Sequence, residues 1–502
     1  TELPKLGPSL FSSSYAVTLT HQNGVYTLTR ENDSSIVFDF NKKTITYNDF
    51  DSFFSNAYSV TGIDVVGSSG FNGKGEASLI EREAADSSYR AGPASITVAL
   101  GEKGIPLYRD GEHAYLPLQT FSDFLISPSP IYYAYNGQAV FIGTGSIEGN
   151  QFIDLYYAAP KGKRSQALAD FTYKEFVAYF DAFYGLRDVK HIDSFDAFVT
   201  NLGLKEDMTS LDPEAMDQAL AKLAYNYLGD QHTKFLSNSP YLGNDVTIKK
   251  EDYWSSECKD MYTRWDATKA ARTAAYPNMP FFEIVGDTAF FTFDEFELKD
   301  GEKFYTTAPD DKATDSLGQM LYAHKQILAA GDTVKNVVMD LSCNTGGAAD
   351  MAAMASAWFL GESVISLNNT FSGSEAMNAY RVDANLDRKF DENDTLGSRK
   401  LYCLTSRVSF SCGNLVPNLF KNSGKVSLIG QKSGGGACVV APVSLADGTI
   451  FRVSGDRRLN TVKNGTFYNI DQGADPDYAI SDLSFLYQNK RADLVSYIDS
   501  IH

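Results

Sequence analysis

Two strand-turn-helix units in the second half of the chain constrain its fold more than any other feature. The first begins with an apolar strand from Val334 to Leu341, passes through the turn SCNTGG at 342–347, and enters a helix rich in alanine and methionine that ends at Leu360. The second begins with an apolar strand from Leu401 to Leu404 and passes through a polar turn into a helix. Successive units of this kind predict an α/β core in which both turns lie at the same edge of a sheet.

Ser411 lies in the second turn, within the segment SFSCG at 409–413. A hydroxyl between a strand and a helix N-terminus is close to free backbone N–H groups, which favour a developing oxyanion together with the helix dipole. Ser411 is therefore the candidate nucleophile. The alternative is an N-cap serine, because serine is preferred at that position for local hydrogen bonding alone.

Taken together, the two turns resemble the C-terminal processing peptidase family, the serine peptidases that include the tail-specific and tricorn proteases. The family pattern D-L-R-x-N-x-G-G is matched by DLSCNTGG at 340–347, with Ser342 in place of the arginine. The pattern S-x-S-A-S-E, followed by a helix and G-x-x-T-x-G-K, is matched by SFSCGN at 409–414 and GQKSGGG at 430–436. The resemblance covers about residues 170 to 485 and implies a crotonase-like, ClpP-like ββα core that hydrolyses peptide bonds.

The base of this implied reaction is not the family's usual lysine. Gly436 stands where tail-specific members carry that lysine, and Lys432, an alternative base, lies four positions away. The tricorn-type branch uses a histidine in the segment L-x-D-x-H-T, which LGDQHT at 228–233 matches with His232. The preceding helix is predicted to end at Gly229, which places His232 on a loop. The alternative is a surface histidine favoured by the helix dipole.

The resemblance also assigns an acid to the site. The segment NIDQGADPD at 469–477 is similar to I-E-N-x-G-x-x-P-D of tricorn-type members, which places Asp471 where the acid orients the histidine. Aspartate is one methylene shorter than the family's glutamate, so its backbone must approach more closely or a water must bridge. Asp475 and Asp477 are the alternatives, and both are expected to hold the turn before Pro476.

The oxyanion hole is predicted from the N–H of Cys412, next to the nucleophile, and from Gly346 or Gly347, where missing side chains let backbone come close. The predicted function is a serine endopeptidase that acts through an acyl-enzyme with a Ser-His-acid triad. One alternative is a catalytically inactive peptide- or ligand-binding protein on the same fold. The other is a Ser-Lys peptidase that uses Lys432.

The chain is predicted to divide into three parts. Residues 1–160 are predicted to be β-rich, since short aromatic and β-branched segments alternate with Asn, Asp and Lys turns. This region has room for two small lobes, and the second weakly resembles the small N-terminal domain of copper amine oxidases, without a histidine cluster for copper. Residues 161–275 are predicted to form a helical lobe that carries the base. Residues 276–502 are predicted to form the α/β core, with an insertion at about 361–399.

A PDZ domain is not expected in this chain. Tail-specific relatives carry one near the segment between Leu236 and Phe281, but this segment has only about forty-five residues, roughly half of what the domain needs. Recognition of a substrate C-terminus by strand addition to a sheet edge is therefore not expected.

The insertion contains a segment that resembles the calcium loop of EF-hands and dockerins. In DANLDRKFDEND at 383–394, oxygen-bearing side chains fall at the first, third, fifth, ninth and twelfth places, with a backbone carbonyl at the seventh. The residues concerned are Asp383, Asn385, Asp387, Lys389, Asp391 and Asp394. Arg388 replaces the turn glycine and Asp394 the bidentate glutamate, and both changes should weaken binding. A structural calcium is predicted, with an acidic solvated loop as the alternative, and no cofactor is predicted for catalysis.

The amino-acid composition limits the classes of molecule that the protein is expected to bind. A formal charge of −19 and a pI near 4.8 argue against nucleic acid and anionic membrane surfaces, so the expected partner is a peptide or protein substrate. No apolar run approaches the length of a membrane span. The five cysteines are odd in number and lack metal spacing, so no disulfide framework is predicted. The chain opens at Thr1 without Met or a signal segment, and an extracytoplasmic location is expected, with the targeting segment absent from this sequence.

Overall fold

The computed structural model describes residues 17–55, 61–67, 79–299 and 302–501. Strands in the first part of the chain are β1 (Val17–Gln22), β2 (Val25–Arg30), β3 (Ser35–Asp39), β4 (Thr44–Asn48), β5 (Ile80–Arg90), β6 (Ser95–Val98), β7 (Tyr108–Asp110), β8 (His113–Tyr115), β9 (Tyr132–Tyr135) and β10 (Val140–Gly143). Later strands are β11 (Lys234–Ser237), β12 (Phe282–Val285), β13 (Thr288–Thr292), β14 (Asn336–Asp340), β15 (Ser363–Asn369), β16 (Glu375–Val382), β17 (Lys400–Thr405), β18 (Val426–Gly430), β19 (Cys438–Ser444), β20 (Ile450–Lys463), β21 (Thr466–Asn469) and β22 (Tyr478–Ala479).

The α-helices are α1 (Phe50–Phe54), α2 (Leu118–Phe121), α3 (Asn150–Tyr156), α4 (Gln166–Phe183), α5 (Phe195–Asn201), α6 (Lys205–Met208), α7 (Pro213–Lys222), α8 (Ser256–Ala275), α9 (Ser316–Ala330), α10 (Ala349–Leu360), α11 (Cys412–Ser423) and α12 (Ala492–Ser500). Wider π-type turns extend α2 over Ser122–Ile126 and α7 over Leu223–Leu228. None of the described helices combines the length and the apolar composition that crossing a membrane requires.

A six-stranded sheet carries both predicted turns. Its strand order is β12-β13-β14-β17-β18-β22, and all neighbours except β12 and β13 are parallel. Every residue of β14 is buried, as expected for a parallel strand covered on both faces. Val337 and Met339 pack in one core cluster with α9, α10 and α11, whereas Val338 packs in another with α12. Because β14 and β17 are adjacent and parallel, their turns lie at the same edge, which confirms that prediction.

A second, seven-stranded sheet brings the segment around His232 to this core. Its main order is β11-β20-β15-β16-β5, and β19 and β21 also pair with β20. Strand β11 begins two residues after His232 and pairs antiparallel with β20. Two apolar segments, Val439 to Ser444 and Thr449 to Val453, flank an Ala-Asp-Gly turn and so predict a hairpin, which is confirmed as β19 and β20.

The first part of the chain forms a five-stranded antiparallel sheet in the order β1-β2-β3-β4-β6. Its buried residues share one core cluster with α4, so the core is continuous across residue 160, and the three domain boundaries remain predictions. Within the region predicted to be β-rich, the residue types of Ile105 to Tyr108 and Tyr115 to Leu118 predict strands. This prediction is wrong, because the strands β7 and β8 overlap these segments only at Tyr108 and Tyr115. Leu118 instead begins α2 after Pro117, which lacks the N–H that a strand ladder needs. The segment from Gly67 to Gly75 is rich in serine and glycine, which predicts a loop or linker, and apart from Gly67 it lies outside the described residues.

The helix before His232 follows its sequence signals. The Asp212 side chain accepts the N–H of Glu214 as N-cap, Pro213 occupies the first turn, and Gly229 ends the π-type extension with a φ of 55°. Between β11 and β12 the chain holds a 3₁₀ turn at Lys250–Tyr253 and the long helix α8.

Candidate active site

Ser411 lies at the N-terminus of α11 in a strained backbone conformation. Its φ of 57° and ψ of −123° fall outside the regions that non-glycine residues ordinarily adopt. Its N–H donates to the carbonyl of Gly435 at 2.9 Å, which holds the turn from the loop after β18. The Ser411 hydroxyl makes no N-cap hydrogen bond, and none with any other described residue. Local capping therefore does not account for this serine.

The glycine turn after β14 packs directly against Ser411. Asn344 joins the two turns, because its carbonyl accepts the N–H of Phe410 at 3.0 Å and its side chain accepts the N–H of Gly346 at 2.9 Å. A Cβ at Gly346 would lie 2.6 Å from the Cβ of Ser411, and the φ of 108° disfavours any side chain. Only glycine permits this approach.

Two backbone N–H groups beside Ser411 are available to an anion. Neither Gly347 nor Cys412 donates its N–H to a residue in the part of the chain that the structure describes. The two are neighbours, since the Cys412 thiol donates to the Gly347 carbonyl at 3.2 Å. Both were predicted for the oxyanion hole. Gly346, the third predicted residue, uses its N–H on the Asn344 side chain, so its part at this site is steric.

His232 is buried and lines the same cavity as Ser411. Only 4% of the histidine is exposed, so the alternative of a surface histidine is wrong. The imidazole meets the Phe410 ring edge-on, with 4.7 Å between ring centroids. Burial lowers the pKa of His232 to about 4, and the Asp230 carboxylate acts in the opposite direction. The ring is thus neutral at ordinary pH, which is the form that accepts a proton. No hydrogen bond joins His232 to Ser411 in the structure.

Asp230 is a carboxylate whose charge acts on His232, and the sequence analysis did not single it out. Its oxygens accept the N–H of Thr233 at 2.6 Å and the hydroxyl of Tyr184 at 2.7 Å. The signal was present, because Asp230 is the aspartate of the L-x-D-x-H-T segment. These two hydrogen bonds fix the carboxylate beside the residue that precedes β11.

Asp471 takes a different place from the one predicted. Its side chain accepts the N–H of Ala437 at 3.1 Å, and across the described residues no hydrogen bond links it to His232. Burial raises the pKa of Asp471. By holding Ala437, the carboxylate supports the turn whose Gly435 carbonyl accepts the Ser411 N–H. The geometry thus shows Asp471 supporting the nucleophile's turn and does not show it orienting the imidazole.

The remaining candidates for base and acid lie away from the cavity. A Cβ at Gly436 would lie 2.7 Å from the Phe410 ring, so the ring occupies the space that a lysine side chain would enter. Lys432 is 3.5 Å from Asp475 at the surface and is not among the residues that line the cavity. Asp477 accepts the N–H of Leu428 at 2.9 Å and so holds the chain before β22, as expected.

The cavity has a volume of about 320 Å³ and a mixed lining. Besides the serine, the histidine and the two glycines, its wall includes two cations, three large side chains of α8, and one carboxylate at the rim. These residues are Lys234, Arg452, Met261, Tyr262, Trp265 and Glu295. The sequence analysis missed the two cations because β11 and β20 are distant in the chain. Lys234 and Arg452 thus give this part of the cavity wall a positive charge.

The predicted calcium loop forms a tight turn between β16 and β17. Asp383 is fully buried and accepts the N–H of Arg388 at 2.8 Å, and Asp394 accepts the N–H groups of Ala384 and Asp391. Arg388 adopts a φ of 64°, the left-handed conformation that the family's turn glycine supplies. The described residues include no group of three or more His, Cys, Asp or Glu side chains arranged to hold a metal. In this arrangement the carboxylates are satisfied by backbone N–H groups.

An α/β sheet with a strained serine at a strand-to-helix turn, beside free amides and a buried histidine, is typical of serine hydrolases. The model of peptidase family S41 matches residues 295–480, which include both turns and the Asp471 segment. Over these residues the chain is similar to this family, whose members include C-terminal processing peptidases. A search of curated proteins finds no match.

Three solved structures illustrate the likeness, each at low identity. The photosystem II D1 C-terminal processing protease is 16% identical with a TM-score of 0.29, and the match covers 39% of this chain and 42% of that protease's length. A candidate peptidase from Parabacteroides merdae is 16% identical with a TM-score of 0.46, covering 67% and 96% of the two chains. A lipoprotein from Streptococcus agalactiae is 14% identical with a TM-score of 0.40, covering 68% and 98%.

Proposed function

We propose that this protein is a serine endopeptidase in which Ser411 is the nucleophile and His232 the general base. The observation that carries the proposal is one cavity that holds a strained serine with an unpartnered hydroxyl, a neutral buried histidine and two free N–H groups. Each group matches one requirement of acyl transfer to serine. The match of residues 295–480 to peptidase family S41 supports the reaction class, since S41 enzymes are serine-type peptidases.

The proposed reaction has two halves. In the first, the Ser411 hydroxyl attacks the scissile carbonyl and gives its proton to His232, while the N–H groups of Gly347 and Cys412 bind the oxyanion. The tetrahedral intermediate collapses as His232 protonates the leaving amine, which leaves an acyl-enzyme on Ser411. In the second half, His232 takes a proton from water, the hydroxide attacks the ester, and Ser411 recovers its proton. The missing Ser411–His232 hydrogen bond has to form when substrate enters, as commonly happens in such sites.

The acid of the triad has two candidates. Asp471 is the candidate that the family resemblance supplies, and Asp230 is the one whose charge acts on His232. We propose that Asp230 stabilises the imidazolium during turnover, whereas Asp471 acts through the Gly435 turn by fixing the Ser411 backbone. A rearrangement on substrate binding that brings Asp471 to the ring would restore the family's arrangement.

A fluorophosphonate probe tests the nucleophile and the base. Labelling is expected at Ser411, lost in Ser411→Ala, strongly reduced in His232→Ala and retained in Lys432→Ala, the matched control for the Ser-Lys alternative. Intact-mass analysis before and after the reaction locates one adduct per chain. Retained labelling in His232→Ala with loss in Lys432→Ala would overturn the assignment of the base.

An inactive binding protein is the alternative function, and the observation that favours it is the absence of a formed Ser411–His232 hydrogen bond. It predicts no labelling of wild-type protein and no cleavage of a peptide library that nonetheless binds. Binding without cleavage, measured by calorimetry and mass spectrometry on the same peptides, would establish that alternative.

Several finer features remain part of the proposal. We propose a crotonase-like core, a helical lobe around α4 to α7, and no PDZ domain, the last supported by the single long helix α8 between β11 and β12. A peptide or protein substrate and an extracytoplasmic location belong to the same proposal, and the net charge of −19 supports the exclusion of nucleic acid. We also propose a weak structural calcium in the loop from Asp383 to Asp394, supported by the left-handed turn at Arg388.

A further inference from the structure

Lys234 and Arg452 stand side by side on the wall of the Ser411 cavity. They are partners across the antiparallel pair of β11 and β20, and residues directly opposite in such a pair present their side chains on the same face. Both line the cavity that also holds Ser411 and His232. The register of two strands thus places two positive charges next to the reacting groups.

Neither cation forms an ion pair with a described carboxylate, although the charge of Asp230 acts to raise the pKa of both. Among the described residues the Lys234 ammonium makes no hydrogen bond or ion pair, and it lies 5.9 Å from the centroid of the Tyr262 ring. Arg452 donates from Nε to the carbonyl of His232 at 3.2 Å, and its two terminal nitrogens have no partner in the described part of the chain. By contrast, the buried Arg164 pairs with Asp447 at 2.8 Å.

The two nearby carboxylates do not form ion pairs with these cations. Asp230 is engaged by Thr233 and Tyr184, and Glu295 lies exposed at the cavity rim without an ion pair among the described residues. Burial, and then the charge of Arg452, lower the pKa of Lys234 to about 8. A partly desolvated pair of cations whose N–H groups have no partner can bind an anion. A guanidinium in particular binds a carboxylate through two parallel hydrogen bonds.

We propose that Lys234 and Arg452 form a subsite for a carboxylate of the substrate, close to the scissile bond. The proposal rests on the proposed peptidase function and deepens it by naming a substrate class. The carboxylate comes from an acidic side chain or from the substrate's own C-terminus, and the two sources share this chemistry. Tyr262 and Trp265 supply the apolar wall beside it.

Matched peptides test the proposal on the full-length wild-type chain. A fluorogenic peptide that is cleaved is compared with versions carrying Glu or Gln at each position around the cleaved bond, and with C-terminal acid and amide forms. We expect kcat/KM to be at least about tenfold higher for one acidic version than for its neutral counterpart, as hydrogen bonds to charged groups provide. Dependence on Glu identifies a side chain, and dependence on the free acid identifies the terminus.

Variants of Lys234 and Arg452 test whether these two cations cause the preference for acidic peptides. Lys234→Gln and Arg452→Lys are expected to reduce the acid-to-neutral ratio toward one, and Lys234→Glu to favour a lysine-containing peptide. Lys335→Gln removes an exposed lysine paired with Asp287 away from the cavity and should leave the ratio unchanged. The result expected for Lys234→Glu does not depend on how well Lys234→Gln or Arg452→Lys folds.

Fluorophosphonate labelling of Ser411 separates this inference from the proposed function. If wild-type protein is not labelled, the peptidase function fails and the subsite fails with it. Normal labelling with equal rates on acidic and neutral peptides overturns the subsite alone. Loss of labelling in Lys234→Gln would make Lys234 the base at this serine and would overturn the subsite as well.

Discussion

At the scale of single residues, the site depends on how closely backbone can approach Ser411. Position 346 has no room for a side chain, since a Cβ added to Gly346 would lie 3.1 Å from the Ser411 hydroxyl oxygen and 3.0 Å from the Phe410 carbonyl oxygen. Contacts this short move the nucleophile or the turn by a few tenths of an ångström. Displacements of that order matter, because a 1 Å error in placing reacting groups can cost about a hundredfold in rate.

Gly346→Ala is therefore expected to lower kcat by about a hundredfold with a smaller effect on KM. The measurement is steady-state kinetics on a cleaved peptide together with the rate of fluorophosphonate labelling. Gly424→Ala is the matched control, because Gly424 also has a positive φ, of 65°, but nothing lies within 4 Å of its added Cβ. That control should lose about 1–2 kcal/mol of stability and keep its activity. Equal kinetics for the two variants would contradict the steric role of Gly346.

The protonation of His232 sets the acid limit of activity. The base must be neutral in the free enzyme, and burial lowers the pKa of His232 to about 4. The acid limb of the pH profile of kcat/KM is therefore expected to have its midpoint near pH 4 instead of 6.5. Asp230→Asn removes a charge that raises this pKa and should move the limb to lower pH. Asp471→Asn, which removes a carboxylate bound to Ala437, should lower the rate without moving the limb. A wild-type limb near pH 6.5 would show that the ring is more solvated than the structure has it.

At the scale of elements, local patterns were sufficient for much of the fold. The strands β14 and β17 and the helices α10 and α11 were predicted because apolar periodicity and glycine turns are local in sequence. The strand β5 was not predicted to join the core, because its pairing with β16 links residues almost 300 positions apart. For the same reason the proximity of Lys234 and Arg452 was not predicted, because it follows from the register of β11 and β20. Ser411 and His232 were found because each lies in a short motif.

The loop between β16 and β17 offers a prediction about metal binding. With a dissociation constant of about 1 mM, as in weak extracellular sites, about 10 mM Ca²⁺ would stabilise the chain by about 1.4 kcal/mol. The thermal midpoint should rise by about 1–2 °C, and Asp383→Asn should abolish the shift. Mg²⁺ at the same concentration controls for ionic strength. An unchanged midpoint with Ca²⁺ would favour the solvated-loop alternative, in which backbone N–H groups and the Tyr305 hydroxyl satisfy Asp383, and backbone N–H groups satisfy Asp394.

At the scale of the whole molecule, the end of the chain supports the edge of the sheet that carries the site. Arg491, just before α12, is fully buried and donates to Asp340 at 2.8 Å and to Thr292 at 2.8 Å. Asp340 is the last residue of β14 and accepts the N–H of Ser342 at 3.0 Å, at the start of the glycine turn. A buried ion pair thus connects the C-terminal helix to the turn that contacts Ser411.

Removing one partner of this pair should be costly. Arg491→Met is expected to reduce the free energy of unfolding by about 3–5 kcal/mol, because Asp340 would be left as a buried charge without its cation. Asp340→Leu combined with Arg491→Met should recover part of that loss, since a buried pair can be replaced by apolar side chains. Urea denaturation measures the stabilities, and Lys335→Met, which breaks an exposed pair with Asp287, should cost less than about 1 kcal/mol. If Arg491→Met cost no more than this control, the hydrogen bonds from the N–H and hydroxyl of Ser342 would be sufficient to hold Asp340, and the C-terminal helix would not be what fixes the glycine turn.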